Sequence, residues 1–209
     1  DDLEEIPLYR RSDALLFCAE GTRRWTDGVH ANNPYSTLSY YFLTEGNTPA
    51  AFATLPAPDE AASATLGEVY HYAAIDNDEF AWYGGGREMF DGHDFGTANS
   101  NTYTASLPGI TGTNLTTVTW DFTAAGATQN CTAQMTLGPS FGSVVSQIMV
   151  NKITSSDAAR GRQSTFTFRA TTSDLQFRIT STAGVPARLN FIRVKYPKQL
   201  TANAGGASF

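Results

Sequence analysis

Between residues 102 and 196 the chain repeats one pattern seven times: a short run rich in alternating apolar and polar residues, closed by Gly, Asn, Ser or Pro. The runs are TYTASL (102–107), LTTVTWDFTA (115–124), CTAQMTLG (131–138), SVVSQIMV (143–150), STFTFRA (164–170), LQFRITST (175–182) and LNFIRVKY (189–196). Successive strand side chains point to opposite faces, so alternation with period two marks one buried and one open face. Val118, Trp120 and Phe122 stand against Thr117, Thr119 and Asp121; Leu175, Phe177 and Ile179 stand against Gln176, Arg178 and Thr180. Short strands of this kind, Thr-rich on the outside and punctuated by turn residues, predict a two-sheet antiparallel β-sandwich of jelly-roll or immunoglobulin-like type. The inter-sheet disulfide of antibody domains is missing, because only Cys131 lies in this half.

The first half lacks that regularity. Residues 1–96 read as a small mixed α/β unit, 102–197 as the sandwich domain and 198–209 as a tail or linker, with the small polar stretch GTANSN (96–101) as the boundary. The fold class is therefore mainly β, with a mixed α/β unit in front. In ALLFCAEG (14–21) the unbroken run Leu15, Leu16, Phe17 predicts a strand covered on both faces. SYYFLT (39–44) predicts a second central strand, reached by a long loop through Trp25, His30 and an Asn32-Asn33-Pro34 turn. The plain reading of Trp25 and His30 is a packed indole beside a hydrogen-bonded imidazole.

Residues 45–67 carry little periodicity and support one short strand at 51–54 and a turn or two of helix capped by Asp59. GEVYHYAAI (67–75) reads as a strand. DNDEF (76–80) lacks the third carboxylate, the glycine and the distant Glu of a calcium loop, and reads as a helix start capped by Asp76 or Asp78. GGGREMF (84–90) fits neither phosphate-loop spacing and predicts a turn, then one helical turn that buries Met89 and Phe90.

Charge and chemistry narrow the function. A formal charge of −6, with Lys and Arg unclustered, argues against nucleic-acid binding, and no apolar run approaches the roughly 20 residues of a membrane-spanning helix. A chain opening on Asp-Asp-Leu-Glu-Glu without Met reads as mature or cut from something longer. Cys18 and Cys131 read as two separately buried thiols. Neither suits a nucleophile: Cys18 sits in an apolar run, and no His follows Cys131 in its half. His71, His93 and Asp94 lack metal-ligand spacing, and no carboxylate pair is marked for glycosidase work. No catalytic, cofactor-binding or metal-binding residue is assigned. From composition and pattern, the alternative function is an extracellular carbohydrate-binding or adhesin module with Trp82, Tyr83 or Tyr103 as its platform, although aromatics near a domain junction more often fill that junction.

DDLEEIPLY (1–9), Phe17 with the Ala19-Glu20-Gly21 turn, Trp25, HANNPYS (30–36), YYFLT (40–44), GREMF (86–90) and LNFIRVKYPKQL (189–200) follow one another along the chain. That series resembles the N-terminal region of PorU-like sortases of type IX secretion, a family of gingipain-like cysteine peptidases from Bacteroidetes. Trp25, His30, Asn33, Pro34, Tyr35, Tyr41, Phe42, Gly86, Arg87, Glu88 and Phe90 carry the resemblance, in structural roles. Met89 stands where the family usually has an aromatic residue. The family's His-Gly and Cys peptidase motifs have no counterpart here. The resemblance thus implies a non-catalytic, extracytoplasmic segment at the cell surface or outer membrane, without cofactor. It would serve as a scaffold or docking module for the downstream peptidase domain of the same chain, for secretion-machine components, or for cargo whose C-terminal signals the parent processes.

Overall fold

The structure, a computed structural model, describes residues 6–19, 21–26, 28–32, 36–43, 66–84, 88–153, 159–203 and 206–208. Two short hairpins come first: β1 (Leu8–Arg11) with β2 (Ala14–Phe17), and β3 (Arg23–Thr26) with β4 (Val29–Asn32). Ser12 and Asp13 turn the first pair; Gly28, at φ 82, turns the second in a conformation that only glycine adopts without steric cost. Next comes β5 (Glu68–Ile75), followed by a connecting segment with one 3-10 turn at Trp82–Gly84. The alternating runs then form β6 (Ser100–Ser106), β7 (Thr116–Ala124), β8 (Cys131–Leu137), β9 (Val144–Val150), β10 (Arg160–Phe168), β11 (Asp174–Ser181) and β12 (Ala187–Gln199). A last hairpin pairs β13 (Thr201–Asn203) with β14 (Gly206–Ser208), inside the stretch expected as a tail.

All seven runs form strands, and the chain is mainly β. Two four-stranded antiparallel sheets pack as a sandwich, in the orders β10-β7-β12-β5 and β6-β11-β8-β9. The alternation decides what lies between them. Val118, Trp120 and Phe122 point inward from β7 and meet Met135, Phe177 and Ile179 of the other sheet in one continuous buried core. Removing each large apolar side chain from water contributes about 1.5–3 kcal/mol. The single polar atom of the largest residue is also served: the Trp120 Nε1–H donates to Ser146 Oγ at 2.9 Å.

Four expectations for the first half are corrected. Among the described residues there is no α-helix. Asp76 does not cap a helix, because it accepts the His30 backbone N–H at 2.9 Å. Residues 88–90 do not coil either, since Phe80 and Phe90 exchange backbone hydrogen bonds of 2.9 and 2.7 Å in a narrow antiparallel bridge, with Phe90 buried and Met89 half-buried. The second central strand is absent: residues 36–43 form no strand, and Tyr40, Tyr41, Phe42 and Leu43 are exposed. Finally, β2 is not covered on both faces. Among the described residues its strand neighbour is β1 alone; Leu15, Leu16 and Phe17 are about half exposed, and Cys18 beside them is exposed rather than buried.

The segment before 97–101 is tied closely to the sandwich. Strand β5 pairs with β12 along its whole length, Glu68 opposite Gln199 and Ile75 opposite Ile192, while Phe95 is fully buried in the core. Period-two alternation explains why β5 belongs there: Ala73 and Ile75 turn toward the core, and Tyr70 and Tyr72 turn outward under Lys195. The strand and helix expected within 45–65, the Asn33-Pro34-Tyr35 turn and Gly86-Arg87 lie outside the described residues.

Candidate functional site

The outer face of β7 breaks the pattern of a solvated strand face. Thr119, Asp121 and Thr123 are polar, yet all three are buried. Their cover comes from the first half of the chain and from neighbouring strands. Trp82 Nε1–H donates to Thr123 Oγ1 at 3.0 Å, Thr119 and Thr165 hydroxyls meet at 3.0 Å, and the Arg188 guanidinium lies 3.7 Å above the Phe80 ring. Between the sheet and the β3–β4 hairpin this cover leaves a cleft of about 390 Å³.

The floor of the cleft is one cross-strand row of the sheet. Gln163 of β10 and Phe191 of β12 both lie opposite Asp121 of β7. Between Leu189 and Phe191 the register shifts, so Asn190 is an extra residue in β12. Such a bulge re-aims side chains on its strand, and here Asn190 joins Gln163 in hydrogen-bonding the Asp121 carboxylate. Removal from water nevertheless dominates, and with the nearby negative charge of Glu88 it pushes the Asp121 carboxyl from 3.8 up to about 6.

The wall opposite is the β3–β4 hairpin, supplying Arg24, Thr26 and Val29, with Asp78, Glu88 and Met89 alongside. A histidine latch holds that hairpin. The His30 side chain is only 5% exposed, with Nε2 2.6 Å from Asp78 Oδ2 and Nδ1 2.7 Å from Asp76 Oδ2. The second contact is short but is not aligned as a hydrogen bond, and the same Asp76 oxygen accepts the His30 backbone N–H. At the turn, Gly28 lies so close to β5 that an added Cβ would sit 3.3 Å from Tyr72 Cβ. His30, Asp76 and Asp78 are the one group of three such donors within 4.8 Å among the described residues. Each ring nitrogen faces its own carboxylate, whereas an ion needs several donors converging on one side. The group therefore works as a clasp between hairpin and sandwich.

The sequence-expected motif residues fall in different places. His30 is the latch, Glu88 lines the cleft and Phe90 is buried, whereas Trp25, Tyr41 and Phe42 are exposed. Trp25 is 62% exposed and touches the His30 ring at a centroid distance of 4.9 Å. Asn33, Pro34, Tyr35, Gly86 and Arg87 lie outside the described residues. Of the other candidates, Tyr103 is buried with its hydroxyl donating to Asp91, His71 stands edge-on to Tyr196, and His93 bonds the Ala98 carbonyl. Cys131 is buried against Ser181 at 3.1 Å, and burial raises its thiol above the ordinary range, which suppresses the thiolate. Asp121, Gln163 and Asn190 were missed by sequence reasoning; an Asp amid Thr on an outward strand face looks merely solvated, and a bulge leaves no pattern.

The arrangement as a whole, a sandwich with two N-terminal hairpins and a covered outer sheet, has a counterpart among solved structures. The fold resembles one region of PorU. The match is to dimeric latent PorU from Porphyromonas gingivalis, with a TM-score of 0.66 and 19% identity over 96% of this chain and 20% of that chain. The chain thus spans about a fifth of the PorU chain, and at this identity the likeness concerns the fold. A carbohydrate-binding module from Cellvibrio mixtus lichenase 5A in complex with cellotriose matches at a TM-score of 0.33 and 18% identity, over 63% of this chain and 88% of that one. Eiger TNF from S. frugiperda matches at 0.37 and 8%, over 67% and 99%. Both are too distant to bear on function. No family model and no curated protein matches the chain.

Proposed function

We propose that the chain is a non-catalytic docking module from the N-terminal part of a PorU-like sortase, working outside the cytoplasm at the outer-membrane surface. It positions the peptidase domain of the same longer chain and offers a face to secretion-machine components or cargo. The observation that carries this reading is the bare apolar hairpin β1–β2. Leu15 and Phe17 project from one face of β2 and Leu16 from the other, and all three are about half exposed. Phe17 meets the exposed Tyr41 edge to face at 5.3 Å, which extends the patch toward Phe42 and Leu43. A lone two-stranded ribbon is marginal in water, and a contiguous apolar surface of this kind marks an interaction site. The fold likeness to part of a chain about five times longer supports the reading. So does the chemistry of Cys131, whose burial disqualifies it as a nucleophile.

The test is a paired variant, Leu16→Asp with Phe17→Asp, measured for binding to the separately expressed remainder of the parent chain. Binding is expected to fall about 100-fold or more, as for loss of central apolar anchors, with the melting temperature of the sandwich unchanged. Unaltered binding would refute the docking face.

A further inference from the structure

We propose that the cleft over the outer sheet is a binding site for a short, uncharged saccharide. A sheet face covered only to stabilise the fold is expected to be apolar; this one buries Thr119, Asp121 and Thr123 and then leaves a cavity open above Asp121. Burying polar groups costs free energy unless they are hydrogen-bonded; Asp121 is held by Gln163 and Asn190, and with them it gives the cavity a polar floor that suits a polar occupant. The bulge at Asn190 strengthens the point, because it places a second carboxamide beside Asp121 where regular pairing would not.

The lining selects the class of ligand. Asp121 offers acceptors only, Gln163 and Asn190 offer both donors and acceptors, and Arg193 and Arg24 offer donors only. A carboxylate accepts about four hydrogen bonds, and Asp121 itself lines the cavity beside the two carboxamides that bond it. Neighbouring hydroxyl groups, each donor and acceptor at once, satisfy such a mixed lining. An anionic ligand would meet Asp78, Glu88 and Asp121; a cationic one would meet Arg24 and Arg193. Val29, Met89 and Phe191 add apolar surface for the C–H face of a ring. The volume of about 390 Å³ falls at the low end of small-molecule sites, the size for one or two sugar rings.

The cleft uses the outer sheet and the β3–β4 hairpin, whereas docking uses β1–β2, so either reading can fail alone. The chain is titrated with N-acetylglucosamine, methyl α-mannoside and cellobiose by ligand-observed NMR and calorimetry, with free arginine and glutamate as charged probes. At least one sugar is expected to bind with a Kd of about 1 mM or tighter. Gln163→Ala and Asn190→Ala should each weaken it about tenfold, and Phe17→Asp should leave it unchanged. Gln163 is exposed on its strand, so its variant keeps the fold even if loss of Asn190 disturbs the bulge. Absence of binding by all three sugars, binding by both cleft variants as tight as by the parent chain, or preference for arginine or glutamate would overturn the proposal.

Discussion

Strands β2 and β7 carry comparable runs of large apolar side chains and meet opposite fates. Val118, Trp120 and Phe122 of β7 are wholly buried, while Leu15, Leu16 and Phe17 of β2 are about half exposed. Local hydrophobicity does not account for the difference; neighbours do. Strand β7 lies between β10 and β12 with a second sheet beneath it, whereas among the described residues β2 has only β1 at its side. The sandwich therefore completes its own core, and the N-terminal hairpin presents apolar surface that the described residues leave exposed.

The sharpest break in that comparison comes from Trp120→Ala. Its ring is fully buried and its N–H is bonded to Ser146, so truncation removes both packing and a hydrogen bond. A loss of about 3–5 kcal/mol is expected in denaturant unfolding; a loss below about 1 kcal/mol would mean the sandwich core is not what holds the chain.

A smaller effect, with a sign set by pH, is expected from Asp121→Asn. Burial and Glu88 raise the folded-state value of Asp121 from 3.8 to about 6. Between those values the folded chain holds a proton that the unfolded chain has released, so this group's contribution is greatest below about pH 4 and is lost as pH rises through about 6. The Asn variant lacks the ionisation. Melting curves should show it more stable than the parent by about 1–3 kcal/mol at pH 8 and about equal at pH 4. The opposite order would show that the carboxylate is stabilised where it sits.

The smallest effect belongs to Trp25→Ala. With the indole mostly exposed and tilted against the His30 ring, the expected change is within about 1 kcal/mol. A loss comparable to that of Trp120 would place Trp25 in a second core.

How much of this was legible in the sequence follows from the range of the interactions. The strands β6–β12 could be read because alternation is local and both sheets obey it. The partner of β5 could not, since its pairing with β12 joins Ile75 to Ile192 across most of the chain. The central strand expected at 39–44 failed because an aromatic run suits an exposed interface as well as a covered strand. Two hairpins carry local signals: Ser12-Asp13 between Leu8-Tyr9-Arg10-Arg11 and Ala14-Leu15-Leu16-Phe17, and Asp27-Gly28 before Val29. At the cleft, His30 was singled out but its partners Asp76 and Asp78 were read as helix caps, because nothing local shows that a hairpin will lie against them.

The central claim is that the sandwich is self-sufficient and the β1–β2 hairpin is not. Amide hydrogen exchange reads that directly, residue by residue, because protection reports the free energy of opening at each site. In the chain alone, amides of β7 and β12 should exchange only through global unfolding. Those of β1 and β2 should exchange orders of magnitude faster and slow markedly once the remainder of the parent chain is bound. Equal protection of β2 and β7 in the isolated chain would contradict the account.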